Sequence, residues 1–320
     1  MGVFSRAAAI LAVCTFSVIP HGAAQSQSWP QKTVRFIVPL PPGSGMDLSA
    51  RIVAERLTER WGQGVVVENR QGADGIPAVT AFLSARDNHT FLFSFGGIVT
   101  FNHLLHERLP YDPSEVVPVV PVIDNFLGIS VTAKLNVNTL AEFVAAAKAQ
   151  PAALNYAVTP GLPVYAMLAL QRFAGVELSN IPYRDFAPAY QDLNTGRLHA
   201  ASTGVPTLIP HHRAGTAKLM FVTNRVRSPQ APDVPTAREA GYPMLTFEGV
   251  SGIFGWRGMP EEIRQRIVTD VSAIVADPAF RVRVESVGTV PRPGTPEEFA
   301  AATEDQRATI AAIHAATTKR

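Results

Sequence analysis

The 320-residue chain is poor in cysteine, in charge and in aromatic residues. It has one cysteine, Cys14, while 17% of its residues are charged and 8% are aromatic. A single cysteine excludes an intramolecular disulfide and a cysteine-rich metal site. Basic and acidic side chains nearly cancel, 28 against 26, for a formal charge of +2. With no basic stripe and no aromatic-basic interleaving, nucleic acid is not the expected partner. No apolar run reaches the roughly 20 residues that span a bilayer. What the chain does have is 47% hydrophobic residues, enough to bury a sizeable core as one large domain or two ordinary ones.

The N-terminus differs from the rest. Arg6 is the only charge before an almost wholly apolar run over 7–19, followed by Pro20 and the small residues Gly22 and Ala24 at the −3 and −1 positions of a cleavage site. This is the pattern of a secretory signal peptide over 1–24, too short for a membrane anchor. Cleavage would remove Cys14 and Arg6, leaving 27 basic against 26 acidic residues and a charge of +1.

Beyond it, strand and helix patterns alternate. A strand-forming run at 33–38 is followed by apolar residues at Leu48, Ile52, Val53, Leu57 and Trp61, one face of a helix, with Ser44 and Asp47 as a capping box and Gly62 as the stop. Strands at 65–67 and 91–95 flank a helix at 77–86. The alternation resumes with strands at 128–133 and 154–158, helices at 139–148 and 162–173, shorter elements over 176–223, and a helix opened by Thr295 and Pro296. This predicts an α/β chain of two lobes, each a mostly parallel sheet flanked by helices, with right-handed crossovers. The lobes would span 25–126 with 247–320, and 127–246, joined by crossings near 118–128 and 244–250.

The candidate chemistry is sparse. Gly43-Ser44-Gly45 begins like a dinucleotide fingerprint but has Leu48 where the third glycine belongs, and the P-loop ending is missing. What it retains is a glycine-rich turn into a helix N-terminus, where free N–H groups favour an anion. Asp47 would oppose a highly charged phosphate there. His103 and His106, and His211 and His212, have no carboxylate placed to complete a metal site and are expected on helix flanks. The run at 249–252 is one residue short of a nucleophile elbow. No catalytic residue, metal or cofactor is therefore expected. Small and polar clusters do recur at strand ends, at 94–97, 159–161, 202–204 and 247–249. Such ends are where open α/β sheets bind ligands.

The motifs resemble one family. Residues 34–47, VRFIVPLPPGSGMD, resemble the IVPFPPGGGTD signature of the tripartite tricarboxylate transporter receptors, also called the Bug family. Residues 64–75, GVVVENRQGADG, are similar to its PVVVENRPGAGG, and 109–113 to its LPYDP. IPYR at 181–184 stands for VPYKG, and APDVPTAREAG at 231–241 for LPDVPTVAEAG. The resemblance runs in order from about residue 29 to about 310. It implies a type II periplasmic-binding-protein-like fold, a monomer in the periplasm. Its lobes would close like a hinged clamp on a small carboxylate and deliver it to membrane permease subunits. An extracytoplasmic sensor docking a signalling partner is the second reading, and an unrecognised periplasmic enzyme the third.

By position, the resemblance places ligand-binding residues at Leu40, Pro42, Gly43, Ser44, Gly45 and Asp47, then at Ser94, Phe95 and Gly96. The second lobe would contribute Thr159, Gly161, Leu162, Tyr165, Tyr183 and Thr203. Here the chain departs from the family. AVTPGLPVYAM at 157–167 replaces SAGNGTSSHLA, exchanging asparagine and hydroxyls for Pro160, Leu162, Pro163 and Val164. Leu40 replaces an aromatic, STGVP at 202–206 replaces DNLPS, and Asp185 replaces glycine. Fewer donors point from a tricarboxylate toward a monocarboxylate or a larger, partly apolar acid such as an aromatic one, with Leu40, Leu162 and Tyr165 as apolar walls.

Overall fold

The computed structural model describes residues 29–159, 161–183 and 186–318. The expected signal peptide, Cys14, Pro160, Arg184 and Asp185 lie outside them.

The chain opens with β1 (Val34–Val38), four of whose five residues are buried, as a central parallel strand requires. α1 (Gly45–Trp61) follows, capped by Ser44 and stopped at Gly62, whose φ of 64° is the left-handed conformation glycine adopts without cost. β2 (Val65–Asn69), α2 (Ile76–Ala85) and β3 (Thr90–Phe95) complete two crossover units of parallel strands. Two short helices, α3 (Gly97–Thr100) and α4 (Asn102–Leu105), lead to β4 (Val116–Asn125).

A second unit begins two residues later. It comprises β5 (Leu127–Thr132), α5 (Leu140–Ala149), β6 (Asn155–Val158), α6 (Leu162–Ala174), β7 (Ser179–Asn180), α7 (Ala187–Thr195), β8 (Ala200–Gly204), α8 (Val205–Arg213) and β9 (Ala217–Val222). The chain then returns through β10 (Gly249–Trp256), α9 (Glu261–Val275), α10 (Pro278–Ser286), β11 (Thr289–Pro291) and α11 (Pro296–Thr318). Among the described residues no helix is long and apolar enough to cross a membrane.

The six-stranded sheet has the order β11-β4-β10-β3-β1-β2, and the five-stranded sheet the order β7-β6-β8-β5-β9. β1 pairs in parallel with β2 and β3, while β10 lies antiparallel between β3 and β4. β4 therefore points the same way as β1. In the second sheet β6 is parallel to β7 and β8, and β5 runs antiparallel between β8 and β9. The sheets are thus mixed in their pairings, although most strands of each share one direction. The α/β architecture of two sheets flanked by helices is the one expected.

Several elements were not anticipated, among them α9, α10, β11 and the long strands β4 and β10. β4 carries Pro118 and Pro121 yet sits between β11 and β10. It is accommodated by register shifts opposite Ser251/Gly252 and Ile253/Phe254, because proline cannot donate to a ladder. β10 is glycine-rich because its partner comes close: a Cβ on Gly252 would stand 2.2 Å from the Val120 carbonyl oxygen.

One core packs around the first sheet, with Phe36, Phe91, Phe93 and Phe254 buried. The second sheet's core gathers Ile129, Phe143, Tyr165, Leu170 and Phe221. A fully buried aliphatic or aromatic side chain contributes about 1.5–3 kcal/mol, so each core is a substantial source of stability. Phe101, Ile310 and Ile313 belong to the second core, although α3, α4 and α11 adjoin the first sheet in sequence.

Candidate functional site

The turn from β1 to α1 is built around Asp47. Its carboxylate, 1% exposed, accepts the Gly43 N–H at 2.8 Å, the Asn69 amide at 2.9 Å and the Arg51 Nε at 3.1 Å. Burial alone would raise this carboxyl, but the bonds from Arg51, Gly43 and Asn69 outweigh it and hold the group below its ordinary value. The Asn69 amide also donates to the Leu40 carbonyl at 2.9 Å. Asp47 therefore holds the loop in shape with its charge turned inward.

The capping box has shifted by one residue. The Ser44 hydroxyl accepts the Asp47 N–H at 3.2 Å, whereas the Asp47 side chain reaches Gly43 rather than Ser44. Leu48 N–H goes to the Ser44 carbonyl at 2.9 Å. The N–H groups of Gly45 and Met46 have no acceptor inside the helix, as at any helix start. Pro42 and Gly43 are exposed, Ser44 and Gly45 half-buried, and Leu40 packs its flank on the first core.

The opposite side comes from the second sheet. Thr159 donates its hydroxyl to Thr203 at 3.2 Å and its N–H to the Ser202 carbonyl at 3.2 Å. Thr159 is half-buried and Thr203 buried. α6 and α8 begin here without a side-chain cap, each with proline near its start. Pro163 and Pro206 have no N–H, and Val205 N–H is taken by the Phe126 carbonyl at 2.7 Å. The loss of donors expected from residues 157–167 thus extends to the β8–α8 turn. None of the loops 39–47, 94–97, 159–165 and 202–207 carries a Lys or Arg. Neutral donors would hold any anion here.

A short bridge brings the two sides together. A Cβ on Gly45 would meet the Val287 carbonyl oxygen at 3.2 Å and Thr289 at 3.3 Å, and the Ser49 and Thr289 hydroxyls are 2.9 Å apart. The neighbouring Gly288 abuts Pro206, where a Cβ would lie 2.3 Å from the proline ring. The start of α1 and the start of α8 therefore flank one segment, 287–289.

The remaining expected residues lie deeper. Gly161 has φ 93° and ψ −142°, and a Cβ there would stand 3.6 Å from the Phe101 ring. Leu162 and Tyr165 are buried in the second core rather than standing as open apolar walls. Burial, assisted by the charge of Asp74, pushes the Tyr165 phenol up to about 12. The Tyr183 hydroxyl donates to Asp192 at 2.7 Å. Burial and that carboxylate push it up to about 12 as well. Ser94 and Gly96 are buried, with Gly96 against Gln306 and Thr303 of α11. Phe95 touches both cores.

Four residues outside the expected site converge beside Phe95. Phe101 is fully buried and packs on Tyr165, ring centroids 5.4 Å apart. Asn102 donates to the Asp74 carbonyl at 2.9 Å and to the Tyr111 hydroxyl at 3.1 Å. His106 bonds the Asp74 carboxylate at 2.9 Å. The "QGADG" run carried the only signal for Asp74, an acid inside a glycine turn. His103 is exposed and the adjacent pair His211 and His212 ends α8, on helix flanks as expected. Among the described residues no group of three His, Cys, Asp or Glu could hold a metal.

A sequence profile described as "Tripartite tricarboxylate transporter family receptor" matches residues 49–316. The chain is 33% identical over 290 residues to a UPF0065 protein of Bordetella bronchiseptica, covering 89% of this chain and 85% of that protein. Among solved structures it resembles R. palustris Rpa4515 with adipate, with a TM-score of 0.81, 29% identity, and coverage of 90% of this chain and 98% of that one. It also resembles MatC (Rpa3494) from Rhodopseudomonas palustris with bound malate, with a TM-score of 0.77, 27% identity, and coverage of 89% and 100%. The matched family is one of receptors and not of enzymes. The profile match and the identity to the Bordetella protein together place this chain in the tripartite tricarboxylate transporter receptor family, the Bug family.

Proposed function

We propose that the protein is a periplasmic receptor that captures a small organic acid between its lobes and delivers it to the membrane permease subunits of a tripartite tricarboxylate-type transporter. The observation that carries this reading is the convergence of the α1 start and the β8–α8 turn on the segment 287–289. It gives an anion the helix-start N–H groups of Gly45 and Met46 on one side and, on the other, the Thr203 hydroxyl that accepts from Thr159 and keeps its own proton to donate. Adipate and malate in the related structures support an organic acid.

The lobes are 25–126 with 247–320, and 127–246. β4 ends at Asn125 in one sheet and β5 starts at Leu127 in the other, which supports a hinge there. Residues 1–24 are a signal peptide, and the mature protein is a monomer. The ligand contacts come from Leu40, Pro42, Gly43, Ser44 and Gly45, from Thr159, Gly161 and Thr203, and from the ring of Tyr183. Pro163 and Pro206 replace donors, so a monocarboxylate or a partly apolar acid fits better than citrate.

A thermal-shift screen of organic acids tests the reading. A ligand at about 100 times its Kd adds about 2.7 kcal/mol, a rise of several degrees in Tm. A screen in which no organic acid moves the melting point overturns the receptor reading. A shift with citrate but with no monocarboxylic or aromatic acid overturns the narrower ligand class.

A further inference from the structure

The chain crosses from one sheet to the other twice, each time over a single residue. Phe126 separates Asn125 of β4 from Leu127 of β5. On the return, Phe247 is still tied to the second unit. Its N–H donates to the Thr223 carbonyl at 2.9 Å, and its carbonyl accepts the Thr223 hydroxyl at 3.2 Å. Gly249, two residues on, already pairs with Asn125 as the start of β10. Glu248 is therefore the residue about which the return crossing turns.

The Glu248 side chain reaches to both sides of that crossing. Its Oε1 meets the Arg225 Nε, beyond β9, at 3.1 Å, and its Oε2 accepts from the Arg292 Nη2 at 3.1 Å. Arg225 belongs to the second unit. Arg292 is fixed to the first, because its N–H donates to the Val122 carbonyl of β4 at 2.9 Å. The other Arg292 nitrogen, Nη1, bonds the Asp124 Oδ2 at 2.9 Å. Arg292 thus divides its fork between two acids instead of closing it on one. Asp124 bears the consequence: its Oδ1 is buried and has no partner. A guanidinium and a carboxylate have a stronger arrangement at hand, two parallel bonds, and an unpaired buried acceptor favours it. Arg292 can make that arrangement with Asp124 only by releasing Glu248.

We propose that Arg292 is a two-position switch at the hinge. In one position, that of the structure, it is shared, and the series Arg225–Glu248–Arg292–Asp124 ties the two lobes at their present angle. In the other it forks onto Asp124 alone, Glu248 is held only by Arg225, and the second lobe is free to swing away. The fork gained offsets the tie lost, and partly exposed ion pairs are individually weak, so neither position dominates. This rests on the two-lobed receptor reading and adds to it a device that sets the balance of closed and open forms before any ligand arrives.

Residues 25–320 contain no cysteine, so one spin label can be placed on each lobe through Lys148→Cys on α5 and Val282→Cys on α10, both exposed. Pulsed electron spin resonance on the ligand-free protein reads the distance between them. Glu248→Gln removes the tie and should raise the ratio of the open to the closed distance about two- to fivefold. Arg225→Met, at a more exposed position that does not threaten folding, should act in the same direction. Asp124→Asn removes the competing charge, leaves Arg292 on Glu248, and should lower that ratio. Opposite signs separate a switch from a loosened fold, which would move every variant alike. One distance distribution shared by the parent and all three variants, or a shift of one sign in all three, overturns the switch. Both outcomes leave capture of an organic acid in place, since the thermal-shift screen decides that separately.

Discussion

The Asp47 carboxylate accepts the N–H of Gly43, four residues earlier, at 2.8 Å and so closes the β1–α1 turn on itself. The same group takes bonds from Asn69 and Arg51. Asp47→Ala strips all three donors of their acceptor and should cost roughly 1–3 kcal/mol in a urea melt. The pH dependence has a definite sign. The folded carboxyl lies below its ordinary value of 3.8, so its stabilisation is present above that value and is lost as pH falls through the folded pKa. The difference in stability between wild type and Asp47→Asn should therefore shrink only below about pH 4. A difference that stays constant to about pH 2 contradicts the arrangement.

Gly161 tests the second side. Its φ of 93° and ψ of −142° lie in a region that residues with a Cβ enter at a cost of about 1–3 kcal/mol. The Phe101 ring stands at ordinary contact distance, 3.6 Å from the added atom, so the backbone conformation and not crowding carries the cost. Gly161→Ala should lower Tm by several degrees and weaken ligand binding. Gly43→Ala serves as the control: its φ is also positive, but nothing lies within 4 Å of the added Cβ.

Much of this architecture could be read in the residues, for identifiable reasons. Leu48, Ile52, Val53 and Leu57 mark one face of α1 by spacing alone, and Ser44 caps it as its side chain requires. β4 and β10 escaped because Pro118, Pro121 and Gly252 break every strand pattern, and only a bulged partner at close range makes them strands. The site was legible as loops but not as contacts. That Asp47 turns inward depends on Asn69, 22 residues away. That Tyr165 meets Phe101 depends on a packing that brings α6 beside the end of β3. Local sequence carries no trace of either.

Two phenols should titrate late. Tyr165 and Tyr183 are pushed up to about 12, the first by burial and the charge of Asp74, the second by burial and its bond to Asp192. A raised phenol keeps its proton in the folded chain where the unfolded chain has lost it. The stability it contributes is present below about pH 10 and disappears as pH rises through about 12. In a tyrosinate absorbance titration, Tyr165→Phe and Tyr183→Phe should each remove one late-titrating group. Both variants should also lose less stability over that alkaline window than the wild type. A variant whose late absorbance step is unchanged would show that the substituted phenol titrates elsewhere.

Arg292 ties the end of β4 to the start of β10, where the chain leaves the first sheet and returns to it. Its Nη1 bonds Asp124 at the end of β4 at 2.9 Å, and its Nη2 bonds Glu248 just before β10 at 3.1 Å. Glu248 in turn pairs with Arg225, beyond β9, at 3.1 Å. Burial raises the Asp124 carboxyl even with Arg292 beside it, so Arg292→Met, which leaves that charge buried and unpaired, should cost roughly 3–5 kcal/mol at about pH 7. Removing the cation raises the carboxyl further. Because a raised folded pKa gives stability that is present at low pH and lost as pH rises, the deficit of Arg292→Met should narrow on acidification, as Asp124 takes up a proton. The double variant Asp124→Asn/Arg292→Met should recover much of the loss at neutral pH and show no such narrowing. If the double variant is as unstable as Arg292→Met alone, the cost lies in the Glu248 arm instead, and Glu248→Gln in the Arg292→Met background would then restore the stability.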